Sequence, residues 1–222
     1  MATQTKSETV VITAPNFGYR TLLIEGIAPL VIERFSKKAE LMEKMAQGKQ
    51  AKSKREHAAR DYERDTEDAR YRSSDGWEGM NAAAFRCGAI SACRLVNFKM
   101  TLGKLSIFIE PDGFDKLEGM PLVRIHGKSE TFTAHTRNAT GVADVRARPI
   151  YREWAAMLKI RYDEDQFSVA DMINLFSRVG AQVGVGAGRP DSKASAGQGW
   201  GMFRLVPSSE QQSVSARFGI VA

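Results

Sequence analysis

The chain has 222 residues, 43% of them hydrophobic, enough for one large domain or a core with a single sizeable insertion. Lys and Arg number 32 against 26 Asp and Glu, and the net charge of +6 favours a polyanionic partner such as nucleic acid, because clustered cations release condensed counterions from phosphates. No apolar run approaches the roughly 20 residues a membrane span needs, and the polar start MATQTKSE lacks the apolar core of a signal peptide, so no membrane partner and a cytoplasmic location are expected.

Two β-like runs, 9–13 and 20–25, flank Pro15-Asn16-Phe17-Gly18, and Pro29-Leu30-Val31-Ile32 follows; the pattern predicts a first strand or hairpin. Over 36–72 the composition shifts to Ala, Lys, Arg, Glu and Asp, with few large apolar residues beyond Leu41, Met42 and Met45. This predicts a long, charged, largely solvated helix or helical hairpin broken near Gly48 and inserted outside a core made of 1–35 and 73–222. The first half of the insertion is basic, with Lys37, Lys38, Lys44, Lys49, Lys52, Lys54 and Arg55 against Glu40 and Glu43. Such a face is either a solvated helix carrying i,i+4 ion pairs or a basic arm that touches phosphates or a neighbouring subunit.

After a turn at Ser73-Ser74-Asp75-Gly76, residues 79–96 combine small side chains with Phe85, Ile90 and Leu95, which predicts a closely packed helix with Arg86 and Arg94 at its polar edge. Cys87 and Cys93 fall six apart in that stretch, point to different faces and predict no mutual disulfide, hence a reducing compartment. Residues 105–110 and 122–126 read as strands, and 131–148 as a polar, Arg-containing connection. The run 154–162 reads as a strand with Lys159 and Arg161 on one face. A helix follows with Ser168 as N-cap, Asp171 as its capping-box partner, and apolar Val169, Met172, Ile173, Phe176 and Val179 at helical spacing, ending at Gly180.

The glycine-rich segment VGVGAGRP, then GQGWGMFRL, comes after a helix and before a strand at 202–206. That order excludes a dinucleotide fingerprint, which needs glycines between a strand and a helix N-terminus, and no Gly-Lys-Ser/Thr forms a Walker loop. The segment is either a hairpin tip or a loop whose backbone approaches a ligand closely, with N–H groups, Arg189 and Lys193 turned to phosphates. Its company in the chain, a βαβ unit, basic strand faces and an excess of Arg, favours the phosphate reading.

IEGIAPLVIERF, GMNAAAFRCGAISACR and VGVGAGRP with GQGWGMFRL together resemble the RAMP superfamily, which includes the backbone subunits that polymerise along CRISPR RNA; similar glycine-rich proteins also occur in bacteriophage genomes. The resemblance covers most of the chain apart from 36–72, with Asn81 where the family's helix start carries Pro. It implies an α+β fold with a ferredoxin-like, modified RNA-recognition βαβ core and an antiparallel sheet. It also implies a helical homo-oligomer, further complex subunits as partners, and single-stranded RNA or DNA gripped through its backbone. Carried over by position, it puts Arg86, Gly184, Gly186, Gly188, Arg189 and Gly199 beside the strand of nucleic acid, with Trp200 or Phe203 available for base stacking. Apart from the resemblance, charge alone adds Lys193, Lys37, Lys38, Lys52 and Arg137 as candidate phosphate contacts.

No metal or other cofactor is indicated, since His57, His126 and His135 have no ligand spacing. Asp144, between Ala143 and Val145 and near Arg146 and Arg148, is the one acid to test for RNA cleavage, although a structural ion pair suits its neighbours better. The expectation is a non-catalytic module that coats single-stranded nucleic acid, RNA favoured. The rivals are a phage structural, assembly or single-strand recombination protein, and an RNA-processing endoribonuclease, which would need a His near the first strand or the glycine loop.

Overall fold

Residues 12–34, 61–137, 143–192 and 197–220 are described by the structure, a computed structural model, with 134–137 and 143–144 described through their backbone. The β-branched and aromatic run at the start forms β1 (Phe17–Gly26), and the Pro-Leu-Val step after it forms the short β2 (Leu30–Val31). Helix α1 (Tyr62–Asp68) is capped by the Asp61 side chain, which accepts the Arg64 N–H, and leads to β3 (Tyr71–Arg72) and β4 (Glu78–Asn81). Helix α2 (Ala82–Ala92) then runs into a 3-10 turn (Cys93–Val96), followed by α3 (Met100–Ser106) and β5 (Ile107–Glu110). Next come β6 (Gly113–Phe114), β7 (Pro121–Arg124), β8 (Ser129–Arg137), β9 (Ala143–Tyr151) and β10 (Ala155–Asp163). Helix α4 (Val169–Arg178) passes through a π-turn (Val179–Val183) to the glycine-rich loop, then β11 (Phe203–Leu205) and α5 (Gln211–Phe218) complete the chain.

The main sheet is four-stranded, in the order β11-β1-β10-β5, and every neighbouring pair is antiparallel. Helix α2 lies between β1 and β5 in the chain and α4 between β10 and β11. Both helices pack on the face carrying Leu22, Ile24, Leu158 and Ile160, where Phe85, Met172 and Phe176 share one core with them. Small residues set the packing distance, since a Cβ on Gly88 of α2 would lie 2.9 Å from Val179 Cγ1. Two smaller antiparallel sheets, β2-β9-β8 and β3-β4-β7-β6, extend from this unit. On the opposite face of the main sheet α5 covers Leu23 and Ala155 with Val206, Val214 and Ile220. Buried Glu25 fastens that cover by pairing with Arg204 at 2.6 Å and with Arg217.

The fold is thus mixed helix and antiparallel sheet, as expected, and several local expectations are revised. Residues 1–11, with most of the first expected run, lie outside the described residues; β1 begins at Phe17, inside the expected turn, and its long partner is β10. The charged insertion falls mostly on 35–60, outside the described residues. Its end is α1 and β3, whose Tyr71 and Arg72 pair with Gly79 and Glu78. Leu105 and Ser106 close α3 instead of opening a strand. The connection expected over 131–148 is a long hairpin, registered from Ser129↔Tyr151 to Arg137↔Ala143. Gly180 does not end its helix: a Cβ there would sit 2.1 Å from the Phe203 carbonyl oxygen, so the glycine permits close approach of β11, and the turn continues to Gly184 at φ 70°. The Ser168–Asp171 capping box forms with both of its bonds.

Candidate functional site

Three segments far apart in the chain meet at a groove of about 650 Å³: Ile32 and Glu33 after β2, one face of α2 from Asn81 to Ser91, and Val183 to Asp191 of the glycine-rich loop. Lys104 of α3 and Tyr71 of β3 close its rim. The floor is open because α2 presents Ala83, Ala84, Cys87 and Gly88 there, side chains too short to fill it. Asn81 explains its own presence at the helix start, where its Oδ1 accepts the Ala83 N–H at 2.8 Å and caps α2.

The loop is a built structure. Ala187 donates its N–H to Val31 O at 2.9 Å, Gly201 to Pro29 O at 2.7 Å, and Gln198 to Gly188 O at 2.7 Å, which tie the segment to β2 and to itself. Gly186 stands at φ 79°, and a Cβ there would lie 2.6 Å from Val31 O, so the loop's glycines serve close backbone contact. The Gly184 N–H is taken by Val179 O at 2.7 Å, whereas those of Gly186 and Gly188 have no acceptor among the described residues. Arg189 is half-buried and donates to Gly186 O at 3.0 Å. Trp200 packs edge-on to Phe132 of β8 at 5.4 Å and shields Gly188, and Phe203 is buried in the core. Neither is a free platform for a base.

The acids of the groove are neutralised from within the chain. Glu33 pairs with Arg148 at 2.6 Å and Arg146 at 3.4 Å. Asp191 accepts from Ser91 Oγ and pairs with Arg94 at 2.7 Å; these contacts, the Ser91 hydrogen bond first, hold its carboxyl below the usual range against the opposing effect of burial. Lys104 and Arg189 are the groove's own cations: Arg189 lies near enough to Asp191 to help depress its carboxyl, and Lys104 has no carboxylate partner among the described residues.

Arg86 is placed elsewhere. Its Nε donates to Ile107 O at 2.8 Å, its second guanidinium nitrogen to Lys104 O, and its plane lies 4.9 Å from the Phe108 centroid. Arg161 continues that stack, 4.3 Å from Phe108 and 4.7 Å from Phe17, and pairs with Glu110 at 2.8 Å. Lys159 and Arg161 do share the outer sheet face, but Lys159 is held by Asp112 at 2.9 Å. Tyr19, 69% exposed and opposite Arg161 in register, is a further aromatic on that face; β1 has no strict alternation of buried and exposed residues that would single it out from the chain.

Lys37, Lys38, Lys52, Lys193 and His57 lie outside the described residues. Arg137, Asp144 and His135 sit in the hairpin strands, their side chains outside the description, with Asp144 paired to Thr136 through the backbone. Gly199, at φ 73°, has room for a Cβ, whose nearest neighbour would be Met202 Sδ at 4.0 Å. His126 bridges to Ala155; burial first, then Arg124, pushes its ring below the ordinary histidine value. Both cysteines are free, Cys87 exposed and Cys93 buried. Among the described residues no group of His, Cys, Asp and Glu could hold a metal, and no helix is long and apolar enough to cross a membrane. No protein-family model and no curated protein matches this chain.

Proposed function

We propose that the protein is a non-catalytic, single-stranded nucleic-acid-binding protein, RNA favoured, built on a ferredoxin-like core and assembling along the strand as RAMP backbone subunits do. The core reading is supported by the order β11-β1-β10-β5, all antiparallel, with one helix crossing between β1 and β5 and another between β10 and β11: this is a βαββαβ arrangement. The observation that carries the function is the convergence of all three family-like segments on one groove, with its acids paired off and with Lys104, Arg189 and the amides of Gly186 and Gly188, which have no acceptor among the described residues, available to phosphates.

Size-exclusion light scattering with single-stranded RNA and DNA of increasing length tests the reading: particle mass should rise stepwise with strand length, and RNA should be the better template. A second reading, assembly without nucleic acid, draws on the exposed Leu95, Val96, Leu102 and Leu105 around α3. Oligomers already full-sized in the absence of any strand, and unchanged by adding one, would favour that reading instead.

A further inference from the structure

A separate pocket of about 450 Å³ opens on the sheet β3-β4-β7-β6 and shares no lining residue with the groove. Trp77 forms one wall. Its ring lies across the backbone of the sheet, since a Cβ on Gly79 or on Gly113 would come within 2.8 Å of it, so both glycines are the bed for the indole. The ring is half-exposed, and the Arg124 guanidinium stands 6.0 Å from its centroid, at the outer limit of a cation–π contact. Arg124 therefore borders the indole without sealing it.

The rest of the lining is cationic. Arg124 and Lys128 have exposed side chains with no carboxylate in ion-pair range among the described residues. Arg70 also faces the pocket, paired with Glu78 at 2.6 Å and Glu67 at 3.2 Å. Glu78, the one acid in the lining, is saturated: it binds Arg70, accepts from Ser129 Oγ at 2.8 Å and accepts from the Tyr151 hydroxyl. Nearby Asp112 is held by Lys159 and by the Arg124 N–H. Counting Arg70, Arg124 and Lys128 against Glu78, the lining carries an excess of two positive charges beside an aromatic face, with the His126 imidazole as a further polar group.

We infer that this pocket binds a nucleotide through its terminal phosphate, with the base laid on Trp77 and the phosphate dianion held between Arg124 and Lys128. A phosphate monoester carries close to two negative charges at neutral pH, which matches the excess, and a flat base matches the indole. The ligand is a free mononucleotide or the phosphorylated end of a strand, and the site stands whether or not the groove binds nucleic acid.

Tryptophan fluorescence titration of the full chain with adenosine monophosphate, adenosine and inorganic phosphate tests this. Adenosine monophosphate is expected to quench saturably, about tenfold more tightly than either fragment. Trp77→Phe should abolish the quench, with the signal of Trp154 and Trp200 retained as internal reference, and Arg124→Gln with Lys128→Gln should weaken binding about tenfold or more. Groove variant Arg189→Ala should leave it unchanged. Lys128→Gln alone, an exposed change, keeps the test valid if Trp77→Phe fails to fold. Competition by a 5′-phosphorylated oligonucleotide but not its unphosphorylated twin identifies the strand end, and failure of both to compete identifies the free nucleotide. No saturable quench up to about 10 mM, equal binding of inorganic phosphate, or indifference to the Arg124 and Lys128 changes would overturn the inference.

Discussion

Gly201 and Gly199 both hold positive φ, 66° and 73°, yet their surroundings differ: a Cβ on Gly201 would lie 1.7 Å from Val185 O, while on Gly199 the nearest atom is Met202 Sδ at 4.0 Å. Gly199→Ala should therefore cost only the conformational penalty of about 1–2 kcal/mol, and Gly201→Ala clearly more, both read as shifts in the urea midpoint. Arg86 was expected beside the ligand, but it satisfies two carbonyls and stacks on Phe108. Arg86→Ala should lower stability by about 1–3 kcal/mol by stranding those carbonyls; unaltered stability with lost nucleic-acid binding would contradict its structural role. At Ser168 the helix cap fixes the sign of a pH effect. Hydrogen bonds from Ser168 keep the Asp171 carboxyl below its ordinary range, so its stabilisation is present above the unfolded carboxylate pKa and lost as pH falls through the depressed folded value. Ser168→Ala should remove about 1 kcal/mol at neutral pH and flatten the acid limb of the stability curve.

Elements were legible where local chemistry and packing agree. Helix α4 carries a capping box and a continuous apolar face, and β10 alternates between buried and more exposed residues from Ala156 onward, so both were readable from the chain. The hairpin β8–β9 was not, because its alternation is written in other residues: Phe132 meets Trp200, and Arg146 and Arg148 reach Glu33. Helix α3 starts without a side-chain cap and contains Gly103, so nothing local announced it. Helix α5 is short and weakly apolar, and it is held by Glu25 from a strand nearly two hundred residues earlier, a contact no window of sequence reveals. Glu25→Gln should loosen that helix, seen as faster proteolysis near 207–210 with the midpoint of global unfolding less affected; unchanged cleavage would assign the docking to the apolar contacts of Val214 and Ile220 alone.

Across the molecule, the three segments that meet at the groove could each be picked out in the chain, and their convergence could not, because it depends on β2 lending its carbonyls to the glycine-rich loop while α2 offers a face of small side chains. The loop's glycines serve packing first, so the proposed grip on a phosphate chain rests on two amides and two cations and not on the whole segment. In the proposed function this groove holds the backbone of a single strand. Fluorescence anisotropy of labelled single-stranded RNA across a salt series, for the wild-type chain and for Lys104→Ala with Arg189→Ala, tests it most directly. Salt-sensitive binding is expected, with a log–log slope that falls by about one to two in the double variant and with folding intact by circular dichroism. Equal affinity and equal slope in the two proteins, or no binding by either at low salt, would contradict it.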